Sequence, residues 1–136
     1  MVACLFLGDS IAEGLAAHVA ARPCAVVARV GSSSGWAGAH VPAGSFRTVT
    51  IATGTNDAAV PGLGGRLTAL RTRVRAGYVL WIVPYDRRAA GEVVRVARLF
   101  GDRWMDLAEL PSRDRIHPAD YPLLARAVKS WGYAGG

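Results

Sequence analysis

The sequence predicts an α/β domain in which a parallel five-stranded sheet is covered by helices, and three observations carry that prediction. Short apolar runs alternate with longer stretches of helical periodicity, the order expected of strands joined by crossover helices. Runs such as Val79-Leu80-Trp81-Ile82-Val83 are apolar on both faces, as strands buried between helical layers must be. The 136 residues are 51% hydrophobic and 19% charged, which suits one domain, residues 1–136, that buries roughly two thirds of its unfolded surface.

The first strand is expected over Val2 to Leu7, the second over Ala25 to Val30 and the third over Arg47 to Ala52. Val79 to Val83 forms the fourth, and Arg103 to Leu107 a weaker fifth. Helical spacing predicts helices over Ile11 to Ala21, Leu63 to Arg75, Ala89 to Phe100 and Ala119 to Trp131. Val93, Val96, Ala97 and Phe100 make one apolar stripe, and Leu123, Leu124, Val128 and Trp131 another; both are read as core. Gly31 to Ser45 is rich in Gly and Ser and reads as a loop with at most a short helix.

Bulk properties exclude several function classes. Fifteen Arg and one Lys against seven Asp and three Glu leave a net charge of +6, a balance that attracts anionic partners. The arginines are nevertheless dispersed, with only Arg71, Arg73 and Arg75 closely spaced. No basic and aromatic interleaving marks a nucleic-acid platform, so that triplet reads as a solvated helix face and no nucleic-acid partner is expected. Cys4 and Cys24 match no metal or redox spacing and read as buried free thiols. The apolar run after Met1 is too short for a membrane span or a signal peptide. The expectation is a cytoplasmic or otherwise soluble protein, whether cell or phage encodes it.

In an open parallel sheet, ligands bind outside the carboxyl ends of the strands. Four polar loops fall there. Gly8-Asp9-Ser10 follows the first strand, Gly31 the second, Gly54-Thr55-Asn56-Asp57 the third, and Asp114-Arg115-Ile116-His117 lies after the fifth. Each has a bland reading: Asp-Ser before a helix is a capping signal, Gly-Thr-Asn-Asp a turn, Gly31 a strand-end glycine and His117 a surface histidine. Together they supply the side chains of a nucleophilic hydrolase. A serine hydroxyl becomes nucleophilic when an imidazole takes its proton, and a carboxylate fixes that imidazole's tautomer. Ser10, His117 and Asp114 can fill those roles, with Asn56 and Gly31 donating to a developing oxyanion. Pro118 stiffens the loop and is placed to begin the last helix. His18 and His40 lack a comparably spaced carboxylate and read as helix-surface and loop residues.

These blocks resemble the SGNH (GDSL) hydrolases over essentially the whole chain. Leu7-Gly8-Asp9-Ser10-Ile11-Ala12-Glu13-Gly14 looks like their first block, Gly54-Thr55-Asn56-Asp57 their third, and Asp114-Arg115-Ile116-His117-Pro118 their Asp-x-x-His block, in the family order. The resemblance implies a flavodoxin-like, three-layer α/β/α sandwich and an esterase that needs no metal or cofactor. It implies Ser10 as nucleophile, His117 as base and Asp114 as its orienter, with the oxyanion held by the Ser10 N–H, a second-block glycine and Asn56. The second block departs from the family form: Val30-Gly31-Ser32-Ser33-Ser34-Gly35-Trp36 holds two glycines. Gly31 is preferred because it directly follows the strand, and Gly35 is the alternative.

The chain spends nearly all its length on sheet and helices, leaving no insertion for a lid. An exposed site follows, suited to a short acyl group such as acetyl on a carbohydrate or another bulky alcohol. Trp36 either borders the entrance and stacks on a sugar or packs internally. Two other outcomes fit the same residues: an acyltransferase that passes the acyl group to an alcohol, and a binding module that keeps the scaffold without turnover. The oligomeric state is not legible.

Overall fold

The computed structural model describes residues 2–19 and 24–133. Five parallel strands form one sheet in the order β2-β1-β3-β4-β5: β1 is Val2–Gly8, β2 Ala25–Ala28, β3 Phe46–Ala52, β4 Ala76–Val83 and β5 Arg103–Asp106. Helices α1 (Ser10–Val19) and α5 (Tyr121–Ser130) cover one face. Helices α2 (Ser34–Ala39), α3 (Leu63–Arg73) and α4 (Arg87–Phe100) cover the other. This is the flavodoxin-like three-layer sandwich, with its switch point between β1 and β3.

Each face carries its own core. Leu5, Leu7, Val49, Ile51, Trp81 and Val83 meet Leu67, Leu70, Val93, Val96 and Ala97 on the α3–α4 side. Phe6, Leu80 and Ile82 meet Ile11, Leu15, Leu124 and Val128 on the other. Burying one such large side chain contributes roughly 1.5–3 kcal/mol, so these two layers dominate the fold's stability. Trp81 is fully buried, yet its indole N–H reaches Asp102 at 2.9 Å. On the α1–α5 face, Gly14 admits the Tyr121 ring, which a Cβ there would approach to 2.6 Å.

Several expectations are corrected. β2 ends at Ala28 rather than Val30, because the Ser32 N–H closes a turn onto the Arg29 carbonyl at 3.1 Å. A 3-10 turn, Leu107–Glu109, takes the end expected for β5. α5 starts at Tyr121, capped by the Asp120 carboxylate on the Leu123 N–H, so Pro118 precedes the helix and does not begin it. Ala20 and Ala21, the end of the helix expected from Ile11, lie outside the described residues. In α5 only Leu124, Ala125 and Val128 are buried; Leu123 and Trp131 are 36% and 38% exposed, because α5 packs chiefly against α1. Arg71 is not solvated: it grips Asp102 through two bonds of 2.7 and 3.0 Å, while Arg73 donates to the Gly38 carbonyl.

Cys4 and Cys24 are not free thiols but disulfide-bonded, with their Cα atoms 4.5 Å apart. Parallel pairing of Leu5 with Ala25 sets the preceding residues side by side, a proximity that a separation of 20 residues conceals. The bond ties edge strand β2 to the sheet's interior. Replacing both cysteines by alanine is expected to lower stability by about 3 kcal/mol, the chain-entropy value for such a loop. Thermal unfolding with and without reductant checks this, and identical midpoints would contradict it.

Candidate active site

The exit from β1 is tightly constrained. Gly8 has φ 146°, and a Cβ there would lie 1.8 Å from the Ala52 carbonyl oxygen, so only glycine passes. The Asp9 N–H then donates to that carbonyl at 2.9 Å, binding the turn to the end of β3. Asp9 is 1% exposed, and its carboxylate accepts the Ile11 N–H at 3.0 Å. The capping role therefore falls to Asp9. Ser10, the first residue of α1, keeps its hydroxyl free for another partner.

That partner is His117, whose Nε2 lies 2.9 Å from Ser10 Oγ across 107 residues of sequence. His117 Nδ1 lies 2.8 Å from Asp114 Oδ2. With the ring proton on Nδ1, where the carboxylate holds it, Nε2 accepts the serine proton. The other carboxylate oxygen, Oδ1, accepts the backbone N–H groups of Ile116 at 2.9 Å and His117 at 2.8 Å. The hydrogen bonds from the His117 ring and backbone and from Ile116 hold the Asp114 carboxyl well below the usual carboxylate range. It stays ionised wherever it is needed to orient the imidazole.

Two residues that the sequence did not single out brace this loop. Ser112 Oγ donates to the His117 carbonyl at 2.7 Å and accepts the Arg115 N–H at 2.8 Å. The Tyr85 hydroxyl, at the end of β4, reaches the carbonyls of Leu110 and Pro111 at 3.2 and 3.3 Å; burial raises its pKa and keeps it a donor.

The loop after β3 organises the opposite wall. Asn56 Nδ2 donates to the Ser32 carbonyl at 2.9 Å; an amide carries two N–H bonds, which leaves one for a second acceptor. Asp57 accepts the Ser34 N–H at 3.1 Å and the Ser34 hydroxyl at 2.5 Å. Arg66, also missed from sequence, pairs with Asp57 at 3.0 Å and bonds the Val60 and Pro61 carbonyls. The two candidate glycines differ in setting. Gly31, at φ 79°, occupies the turn from Arg29 to Ser32, where a type II geometry requires glycine. Gly35 lies in the first turn of α2, after Ser34 and before Trp36, whose N–H is capped by Ser33 Oγ at 3.2 Å. Trp36 packs against the core and stacks on His40 at 4.2 Å, which is the internal reading of that residue. Among the described residues no group of three His, Cys, Asp or Glu side chains is placed to hold a metal ion, and no helix is long and apolar enough to cross a membrane.

Neither a family model nor a curated protein matches the chain by sequence. Solved structures do match. A native aryl esterase from M. smegmatis superposes with a TM-score of 0.65 at 15% identity, over 96% of this chain and 99% of its own. A lipolytic G-D-S-L family protein from Veillonella parvula DSM 2008 gives 0.62 at 16% identity, over 95% and 96%. The chain shares the fold of these proteins. At this identity the likeness is one of architecture, and in that fold the serine of the Gly8-Asp9-Ser10 block stands at the carboxyl edge of β1, facing the Asp-x-x-His loop.

Desolvation pushes the Asp9 carboxyl up to about 6, against the opposing pull of the Ile11 and Ala12 N–H groups and of His117. A carboxyl raised on folding is favourable while protonated; its contribution is lost as pH rises from the unfolded value of 3.8 through about 6. Asp9→Asn, which keeps the cap acceptor, is therefore expected to be more stable than the parent at pH 8, by up to about 3 kcal/mol. The difference closes by pH ~4. Denaturant unfolding across that range checks it, and a gap independent of pH would contradict it.

Proposed function

We propose that the protein is a serine esterase that hydrolyses carboxylic esters through an acyl-serine intermediate, acting on short acyl groups such as acetyl carried by a carbohydrate or another bulky alcohol. The observation that carries the reading is the continuous hydrogen-bonded chain Ser10–His117–Asp114, with contacts of 2.9 and 2.8 Å. An aryl esterase and a lipolytic protein of the same fold support ester hydrolysis.

In the proposed cycle His117 Nε2 takes the Ser10 proton as Oγ attacks the ester carbonyl carbon. The oxyanion is held by the Ser10 N–H, the free N–H of Asn56 Nδ2 and the N–H of a glycine; a placed donor of this kind is worth on the order of 3 kcal/mol in the transition state. Gly35 fits the third position better than Gly31, because its amide opens α2 directly after the Ser34 that Asp57 clamps. Collapse expels the alcohol with the proton from His117, and water activated by the same ring releases the acid and restores Ser10. Side-chain exposures of 41% for His117 and 51% for Asp114 support a short acyl group, since an apolar chain gains little from an uncovered surface.

Ser10→Ala is expected to abolish hydrolysis of 4-nitrophenyl acetate and covalent labelling by an organophosphonate while preserving the unfolding midpoint; an undiminished rate overturns the assignment. Across 4-nitrophenyl esters of rising chain length, kcat/KM is expected to be highest at acetate or propionate. A maximum at a long-chain ester rejects the acyl preference.

A further inference from the structure

Gly14 makes room beside the nucleophile for a tyrosine that ester cleavage itself leaves unused. Ser10 and Gly14 are four residues apart on α1, so their β positions share one face and lie about 6 Å from each other. Tyr121, the first residue of α5, sets the tip of its ring in the space that the missing Cβ leaves. That atom would lie 2.6 Å from a ring carbon and 3.1 Å from the hydroxyl oxygen. The Tyr121 hydroxyl therefore stands within about 9 Å of the Ser10 Cβ, on a residue that follows His117 and Pro118 closely in the chain. Its ring is held from the other side by His18, stacked at 5.5 Å and 14°, whose Nδ1–H donates to the Gly14 carbonyl at 2.7 Å. A ring fixed in this way gives up little freedom when a ligand binds.

The fold does not consume this hydroxyl. Tyr85 spends its own on the Leu110 and Pro111 carbonyls, whereas that of the half-buried Tyr121 has no hydrogen-bond partner among the described residues. Burial, together with the charges of Asp9 and Asp114, pushes its pKa up to about 12, so it stays protonated and free to donate. Those two carboxylates are the one that precedes Ser10 and the one that orients His117. The chemistry of the site gives each part of an ester a side. The oxyanion turns toward Asn56, and the leaving oxygen must come within reach of His117 Nε2, which returns the proton. The alcohol portion therefore extends past the Asp-x-x-His loop toward the seam of α1 and α5, where Tyr121 lies.

We propose that Tyr121 determines specificity for the alcohol portion of the ester: its hydroxyl bonds a free hydroxyl of that portion, and the preferred substrate is an O-acetylated sugar rather than the acetate of an apolar alcohol. The inference rests on the esterase reading of Ser10 and narrows it. A site that offers a fixed hydrogen-bond partner discriminates against an analogue lacking the hydroxyl, because the polar group is then left unpaired.

The test compares kcat/KM for methyl 6-O-acetyl-glucopyranoside with that for cyclohexylmethyl acetate, an ester of similar shape without hydroxyls, in the parent protein and in Tyr121→Phe. Phenylalanine keeps the ring against Gly14 and His18 and removes only the hydroxyl. The sugar-to-cyclohexyl ratio is expected to fall by roughly fivefold, the scale of one neutral hydrogen bond. Gly14→Ala is a second variant: its methyl displaces the ring tip while the hydroxyl is retained, and the ratio is expected to fall there too. A merely structural role for Tyr121 slows both esters alike, so an unchanged ratio in folded Tyr121→Phe overturns the inference. Turnover of both esters by the parent without preference for the sugar overturns it and leaves the esterase reading standing, whereas no turnover of either by folded protein overturns both.

Discussion

The site depends on the pairing of β1 with β3. Register places Gly8 opposite Ala52, and the Asp9 N–H bonds the Ala52 carbonyl at the point where both strands end. Two loops that are far apart in sequence, one with Ser10 and one with Asn56, thereby leave the sheet side by side. Any side chain at residue 8 would collide with the β3 backbone and separate them. The same geometry makes β1 and β3 the switch point of a 2-1-3-4-5 sheet, where a crevice opens without further construction.

Around that crevice three aspartates do different work because their surroundings differ. Asp9 is buried, and its desolvation opposes ionisation. Asp57, equally hidden, is met by Arg66 and by two donors from Ser34, and so serves as a structural anion that ties the α2 entry to the β3 loop. Asp114 stands in solvent, where desolvation is small and the hydrogen bonds of His117 and Ile116 dominate. Three like carboxylates are divided by position into a cap, a clamp and the partner of an imidazole.

Buried parallel strands were legible because both of their faces are apolar, which no helix of this length requires. The β4 run follows from that pattern alone. Misreadings occur where a local pattern meets a tertiary boundary. Val30 continues the apolar run of β2, yet it already lies in the turn that runs from Arg29 to Ser32. Leu123 and Trp131 share the spacing of Leu124 and Val128, but α5 packs chiefly against α1 and buries only part of the stripe. Ser112, Tyr85 and Arg66 carry no sequence signal because each acts through backbone carbonyls or loops whose partners are set by the fold.

By itself the sequence determined the number of strands, the alternation of strand and helix, and the residue types at each carboxyl-end loop, since hydrophobic periodicity and turn chemistry are local properties. The tertiary structure decided which of those residues meet. Only strand order closes the 107 residues between Ser10 and His117, and only register joins Cys4 to Cys24. Only the turn from Arg29 to Ser32 shows why residue 31 is a glycine, at φ 79°. Distance in space is set by how the strands pair, and that information is carried by the whole core rather than by any one motif.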